Sequence, residues 1–359
     1  MMTELKAEAH IAIPSPADYV ERIADRLFSF DAVVTNEGSG MDFRFPFGQA
    51  SLGLSPDALT VRIRAGDAAR LARLKDILAT AIEVHARRAQ PRIVWQGDLA
   101  GDRRLAQFRE MRVAGIEDLT PHMRRIRLKG ENLTRFAEFD GMHVRVLFPT
   151  PQVPEPGWPE AGPNGLPVWP AEDRRAPARV YTIRKLDVAR GFMEIDFVMH
   201  GDESIGSGWA ASARPGSIVG IMGPLGRPVR SAQWYVLGAD ETGLPALGRI
   251  LEKLPAATRG FAFVEVADKG EEQIIAHPPG FELHWIHRNG KAPGEDARLA
   301  ETICAVSRPA GTKCFSWFAA EAEAAKQVRE HWRGKLGLGR DETLAAAYWR
   351  RGALGPMAG

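Results

Sequence analysis

The run Arg179–Val180–Tyr181–Thr182–Ile183–Arg184 holds three residue types that together can grip a cofactor. On a strand, side chains alternate, so Arg179 and Tyr181 share one face. A guanidinium fork suits a pyrophosphate, which it meets with two parallel hydrogen bonds. A tyrosine two residues on presents a flat ring for stacking on an isoalloxazine. Thr182 beside it offers a hydroxyl or a backbone donor to a polar ring edge. Taken alone, this is also the pattern of an ordinary alternating polar strand.

A second signal follows the next strand. Glu194–His200 runs into Gly201–Asp202–Glu203–Ser204–Ile205–Gly206–Ser207–Gly208 and then Trp209–Ala210–Ala211. A small-residue loop that opens a helix is an anion site, because free N–H groups and the helix dipole point at the ligand. A plain turn with an N-cap would look the same. The two signals in one barrel favour the ligand reading. A third loop, Asp240–Glu241–Thr242–Gly243–Leu244–Pro245, lies between a strand and a helix, where a dinucleotide loop belongs, although it is not G-x-G-x-x-G. His277, His284, His287 and His331 match no tight metal motif, so no resident iron site is expected.

These loops need a scaffold, and 359 residues are enough for two or three domains. Residues 1–97 read as a small α+β domain. Helices are expected over Ala17–Phe30, with Ser15 as N-cap, and over Asp67–Arg87; strands over Met41–Phe47, Ala50–Leu54 and Leu59–Arg64. Gly97–Asp102 is a candidate linker. Residues 104–230 read as an antiparallel Greek-key β-barrel, with strands over Phe108–Ile116, His122–Leu128, Gly141–Pro149, Arg179–Arg184, Phe192–Met199 and Ile218–Met222. Within it, the Pro- and Gly-rich stretch 150–177 is long for an ordered loop, hence functional or mobile. Residues 231–359 alternate strands and helices, which indicates an α/β domain with a parallel sheet.

Composition narrows the function. A net charge of +2 gives no global drive toward nucleic acid or an anionic membrane. The cluster Arg124–Arg125–Arg127–Lys129 reads as a solvated strand face. Two cysteines, Cys304 and Cys314, exclude a disulfide framework and fit a reducing cytoplasm as small buried hydrophobes. The start, Met1–Lys6, lacks a basic run followed by an apolar one, so no signal peptide is expected.

From about Phe108 to Gly352 the chain resembles the siderophore-interacting protein family, relatives of the ferredoxin–NADP reductase superfamily. The matching pieces, in order, are Arg179–Arg184, Asp196–Asp202 with Trp209–Ala210, Ala213–Gly216, Gly223–Gly226, Asp240–Ala246, Trp285–Arg288 and Tyr348–Gly352. Residues 1 to about 96 resemble a small uncharacterised domain found ahead of this family, which implies no activity.

The resemblance implies non-covalent FAD, held by Arg179, Tyr181 and Thr182 and, at its pyrophosphate, by the loop from His200 to Ser207. The family usually reads Gly-Pro-Ala where this chain has Ser204–Ile205–Gly206, while Ser207 is retained. It also implies that Asp240–Pro245 stands in for the dinucleotide loop, with Thr242 as side-chain donor to NADH or NADPH. The tail Ala347–Gly352 starts with alanine in place of the family's glycine. Its Tyr348 and Trp349 would cover the flavin or nucleotide, or sit on a helix packed on the sheet. The implied activity is NAD(P)H-dependent reduction of ferric siderophores in the cytoplasm, with Arg184, Lys185 and the 150–177 loop as candidates for the anionic substrate. Electrons from ferredoxin, a general flavin or ferric-chelate reductase, and a siderophore-binding protein without electron transfer are the alternatives.

Overall fold

The computed structural model describes residues 4–37, 40–138, 141–200 and 204–353. The chain divides into two compact units. The first comprises residues up to Phe108 together with Pro156–Arg175. Its elements are β1 (Leu5–Ala12), α1 (Ala17–Phe28), β2 (Val33–Glu37), β3 (Gly40–Phe45), β4 (Gly48–Ser55), β5 (Ala58–Ala65), α2 (Ala68–His85) and β6 (Gln96–Gly97). They build a six-stranded sheet in the order β2-β3-β4-β5-β1-β6.

The core of this unit follows from side-chain period. In β1, Ala7, Ala9 and Ile11 are buried while Lys6, Glu8 and His10 face outward. Ile23 and Leu27 of α1 and Leu71, Leu74, Leu78 and Ile82 of α2 fill the space above Val61 and Ile63. The Asp67 side chain caps α2, accepting from Arg70 N at 2.9 Å. Ser15 does not cap α1 as expected. It sits at φ 46°, and only its backbone oxygen meets the helix, accepting from Asp18 N at 3.0 Å. The expected linker is folded down: Lys75 Nζ donates to Asp98 O at 2.8 Å, and Lys6 N to Asp98 Oδ2 at 2.7 Å.

The second unit carries the site. It opens with β7 (Phe108–Thr120), β8 (Met123–Lys129), α3 (Thr134–Glu138) and β9 (His143–Leu147). A two-stranded excursion of the first unit follows, β10 (Glu160–Ala161) with β11 (Pro167–Val168). The chain then returns as β12 (Ala178–Thr182), β13 (Lys185–Asp187), β14 (Phe192–Val198), α4 (Ile205–Ser212) and β15 (Ile218–Leu225). The seven strands of this sheet run β12-β9-β15-β7-β8-β14-β13, so β15 slots between strands far earlier in the chain, a Greek-key crossover. The sheet curls on itself: Arg184 N, just past β12, donates to Glu194 O of β14 at 2.8 Å. The basic run on β8 is solvated at Arg127 and Lys129, while Arg124 and Arg125 are half-buried, and three of its cations are also paired. Arg124 pairs with Asp118, Arg125 with Asp196 and Arg127 with Glu194, each on a neighbouring strand.

The lobe after the barrel holds β16 (Trp234–Ala239), α5 (Leu244–Leu251), β17 (Arg259–Val266), β18 (Gly280–His287), α6 (Arg298–Ala305), β19 (Cys314–Glu321), α7 (Ala322–Arg329) and β20 (Thr343–Trp349). All pairings in the order β18-β17-β16-β19-β20 are parallel. Leu244, Leu247 and Ile250 of α5 pack on the face of Leu237 and Phe315, while Leu299, Ile303 and Val328 pack on that of Val236 and Phe318. A sheet covered on both faces explains the near-continuous apolar run of β19. The aromatic tail Tyr348–Trp349 ends a fifth strand, not a helix. Among the described residues no helix is long and apolar enough to cross a membrane.

Candidate functional site

The first half of the site grows from β12. Its register against β9 sets Arg179 opposite Val146, Tyr181 opposite Val144 and Thr182 opposite His143. Arg179 and Tyr181 are half-buried. The Tyr181 ring lies 4.4 Å from that of Phe197 and 6.0 Å, edge-on, from that of Phe148. Trp209 of α4 closes the cluster at 5.4 Å from Phe148 and 5.8 Å from Phe197. Burial pushes the Tyr181 phenol well above its usual range, partly offset by the Arg179 cation.

The loop after β14 meets the same tyrosine. A Cβ on Gly206 would fall 1.8 Å from the Tyr181 hydroxyl oxygen, so only glycine admits this approach to the first turn of α4. Ser204 caps α4, accepting from Ser207 N at 3.3 Å. The Ser207 hydroxyl turns inward and accepts from His200 N at 3.2 Å. Gly201, Asp202 and Glu203 lie outside the described residues. Strand and loop thus bring Arg179, Tyr181, His200, Gly206 and Ser207 together. A cation, an aromatic face and a helix N-terminus in one place suit a flavin dinucleotide.

The second half of the site is the carboxyl edge of the lobe's sheet. Asp240 is fully buried just past β16 and accepts five hydrogen bonds. They come from Thr242 N, Thr242 Oγ1, Gly243 N, Glu321 N and Trp349 Nε1. Burial, reinforced by the Glu241 charge, still pushes its carboxyl up to about 6. Asp240 and Thr242 therefore shape the turn and anchor the tail through Trp349. A crevice of about 290 Å³ opens here beside Glu265, Asp296 and Glu321. Burial pushes Glu265 up to about 7, with Arg288 opposing. Arg288 is itself buried between Glu241 and Glu265.

Barrel and lobe share a unit, and polar contacts fasten them. The Tyr348 hydroxyl lies 2.6 Å from His143 Nε2, next to Thr182 in register. Burial, with the Arg249 cation, pushes His143 down to about 4, so it is neutral. Arg249 donates to Ile183 O at 2.5 Å. The Glu271 carboxylate accepts from Thr120 Oγ1 at 2.5 Å and from His122 N at 3.1 Å.

Arg184 is placed differently from its expected role toward substrate. Only 8 % exposed, it spends its guanidinium on Glu252, with contacts of 2.7 and 2.5 Å. Lys185 stays exposed at the start of β13. The 150–177 stretch belongs mostly to the first unit, as an ordered excursion. His284 and His287 lie on β18 and pair with Glu282 and Glu272. Among the described residues no three His, Cys, Asp or Glu side chains gather as metal ligands. Residues the sequence did not single out are His143, Phe148, Phe197, Arg249 and Glu252. Their roles arise from strand register and from contacts across the fold, which leave no local pattern.

Three family models divide the chain. Residues 112–228 match a siderophore-interacting FAD-binding domain and 232–352 a siderophore-interacting protein domain. Residues 8–96 match an uncharacterised protein conserved in bacteria. The ferric vibriobactin reductase of Vibrio cholerae is 32% identical over 245 residues, 65% of this chain and 86% of that protein. The NADPH-dependent ferric-chelate reductase of Escherichia coli is 35% identical over 255 residues, 68% of this chain and 93% of that protein. Among solved structures, a siderophore utilization protein from T. fusca superposes with a TM-score of 0.57 at 35% identity, covering 68% of this chain and 94% of that one.

Proposed function

The chain belongs to the siderophore-interacting protein family, and we propose that it reduces ferric siderophores with electrons from NAD(P)H passed through bound FAD. One observation carries this reading: Tyr181, flanked by Arg179, reaches the first turn of α4 at Gly206. That junction offers the two things a flavin dinucleotide needs, an aromatic face and a positive cradle for its pyrophosphate.

Ferric ion is hard and prefers anionic oxygen ligands. One added electron lowers its charge and weakens that binding, so iron leaves while the chelator survives. The flavin supplies the conversion of a two-electron donor into single-electron transfers, and the protein orients it. Arg179 would neutralise the pyrophosphate, Tyr181 would flank the ring system, and Thr182 would meet its polar edge. The turn held by Asp240 and Thr242, with Trp349 fixed to it, would form the lobe's side of the nucleotide site. Lys185, exposed, is the remaining basic candidate toward an anionic chelate; Arg184, paired with Glu252, is not carried forward. The two free cysteines and the need for NAD(P)H support the cytoplasm as its compartment.

The test is the absorption spectrum of the purified protein, followed by anaerobic addition of NADH, NADPH or reduced ferredoxin, and then a ferric siderophore or ferric citrate. We expect a flavin band that bleaches with a pyridine nucleotide and returns with the ferric siderophore. Arg179→Ala combined with Tyr181→Ala should yield colourless protein. Full FAD occupancy in that double variant would remove the site from β12. Bleaching by ferredoxin alone would replace the donor.

A further inference from the structure

The connection between β9 and β12 folds with the N-terminal domain, not with the barrel it joins. Its neck is closed within itself: Gly157 N donates to Arg174 O at 2.8 Å, and Gly157 bridges Arg175. Its flank lies on the residues that follow the expected linker. Ala161 N donates to Arg103 O at 2.8 Å, Glu160 pairs with Arg103, and the Trp158 ring stands 5.4 Å from that of Phe108.

The tip is gripped most specifically. The turn Gly162–Leu166 is closed by Gly162 N donating to Leu166 O at 2.9 Å. Trp95 binds it twice, donating from N to Pro163 O at 3.2 Å and from Nε1 to Asn164 O at 2.8 Å. Asn164 Nδ2 donates to Glu83 Oε1 of α2 at 2.7 Å. Gly165 sits at φ +80°, which L side chains rarely adopt, and a Cβ there would lie a tight 3.3 Å from that of the buried Lys75. Leu166 then packs into the domain's core.

We propose that the N-terminal domain is a positioning element of the reductase, which grips the β9–β12 excursion by its tip and so fixes the chain that feeds Arg179, Tyr181 and Thr182. Only Ala176, Pro177 and Ala178 separate the neck from Arg179. A connection this long without a core of its own would sample many conformations. Here the domain supplies the missing core. The inference rests on the flavin reading of β12.

The test uses the full chain. Trp95→Phe removes the indole donor to the tip and leaves a smaller aromatic ring; Glu83→Ala removes the acceptor of Asn164, and Glu83→Gln restores one. Amide hydrogen exchange across residues 156–175 should quicken about fivefold in Trp95→Phe and Glu83→Ala, as loss of one net hydrogen bond implies. FAD should dissociate more readily in the same two variants, and Glu83→Gln should behave as the unaltered chain on both measures. Faster exchange with unchanged FAD binding would overturn the proposal, and so would unchanged exchange. Failure of the flavin reading has a separate signature: the unaltered chain itself would bind no FAD.

Discussion

At Gly206 a methyl group and a tyrosine compete for one place. This chain holds the Tyr181 hydroxyl where a methyl group on residue 206 would sit. Glycine at this position and the seating of Tyr181 therefore go together. Gly206→Val would drive the ring off Phe197 and away from α4. Crowding of this kind costs about 1–3 kcal/mol, so FAD should bind about tenfold more weakly, as read by quenching of flavin fluorescence. Unaltered affinity would mean that Tyr181 is not part of the grip. Arg179 and Tyr181 were legible in the sequence because a strand's period of two places them on one face. Phe197 and Phe148 were not, because they reach the same ring from other strands. Arg184 misled for a related reason. It was a candidate by position only, and position does not reveal that Glu252 lies close enough to claim it.

Among the elements, β20 shows where local preference and tertiary context part. Its sequence, Thr343–Leu–Ala–Ala–Ala–Tyr–Trp349, is rich in alanine, a strong helix former, and its only β-branched residue is Thr343. Pairing with β19 overrides that preference. The strand matters because it delivers Tyr348 to His143 of β9 and Trp349 to Asp240. Tyr348→Phe keeps the ring and removes the hydroxyl, leaving His143 Nε2 buried without that partner. Stability should fall by only about 1–2 kcal/mol. Flavin reduction by NAD(P)H should slow by about fivefold or more, because small misplacements of reacting partners cost rate steeply. Stopped-flow bleaching of the flavin band beside a thermal melt separates the two effects. A lowered melting temperature with an unchanged rate would reduce the contact to a structural one. The helices and most barrel strands were readable from their periods. Strand β1 and this tail were not, since their partners β5 and β19 lie far off in sequence.

For the whole molecule, the order of three differently textured parts was visible in the sequence. The seam was not: His143 and Tyr348 stand 205 residues apart and carry no shared pattern. What the seam and the lobe's edge bury governs how stability follows pH. His143 is pushed from 6.5 down to about 4, so the folded state binds fewer protons than the unfolded one between those values. That group's contribution is full above 6.5 and is lost as pH falls toward 4. Asp240 and Glu265 act oppositely. Their carboxyls rise from 3.8 to about 6 and from 4.5 to about 7, so their contribution is full below the lower values and is lost as pH rises through the upper ones. Two carboxyls outweigh one imidazole, since each tenfold change in a group's proton affinity on folding is worth about 1.4 kcal/mol. Below 4.5 the sign reverses again, because Asp118, Glu252 and Asp296 are held ionised by Arg124, Arg184 and Arg298 and lose those partners on protonation. Stability should therefore peak near pH 5 and decline by on the order of 2 kcal/mol toward pH 7.5. Urea midpoints measured at the two pH values check this, and Glu265→Gln should flatten the decline. A higher midpoint at pH 7.5 in the unaltered chain would mean that Asp240 and Glu265 are ionised at less cost than their burial implies.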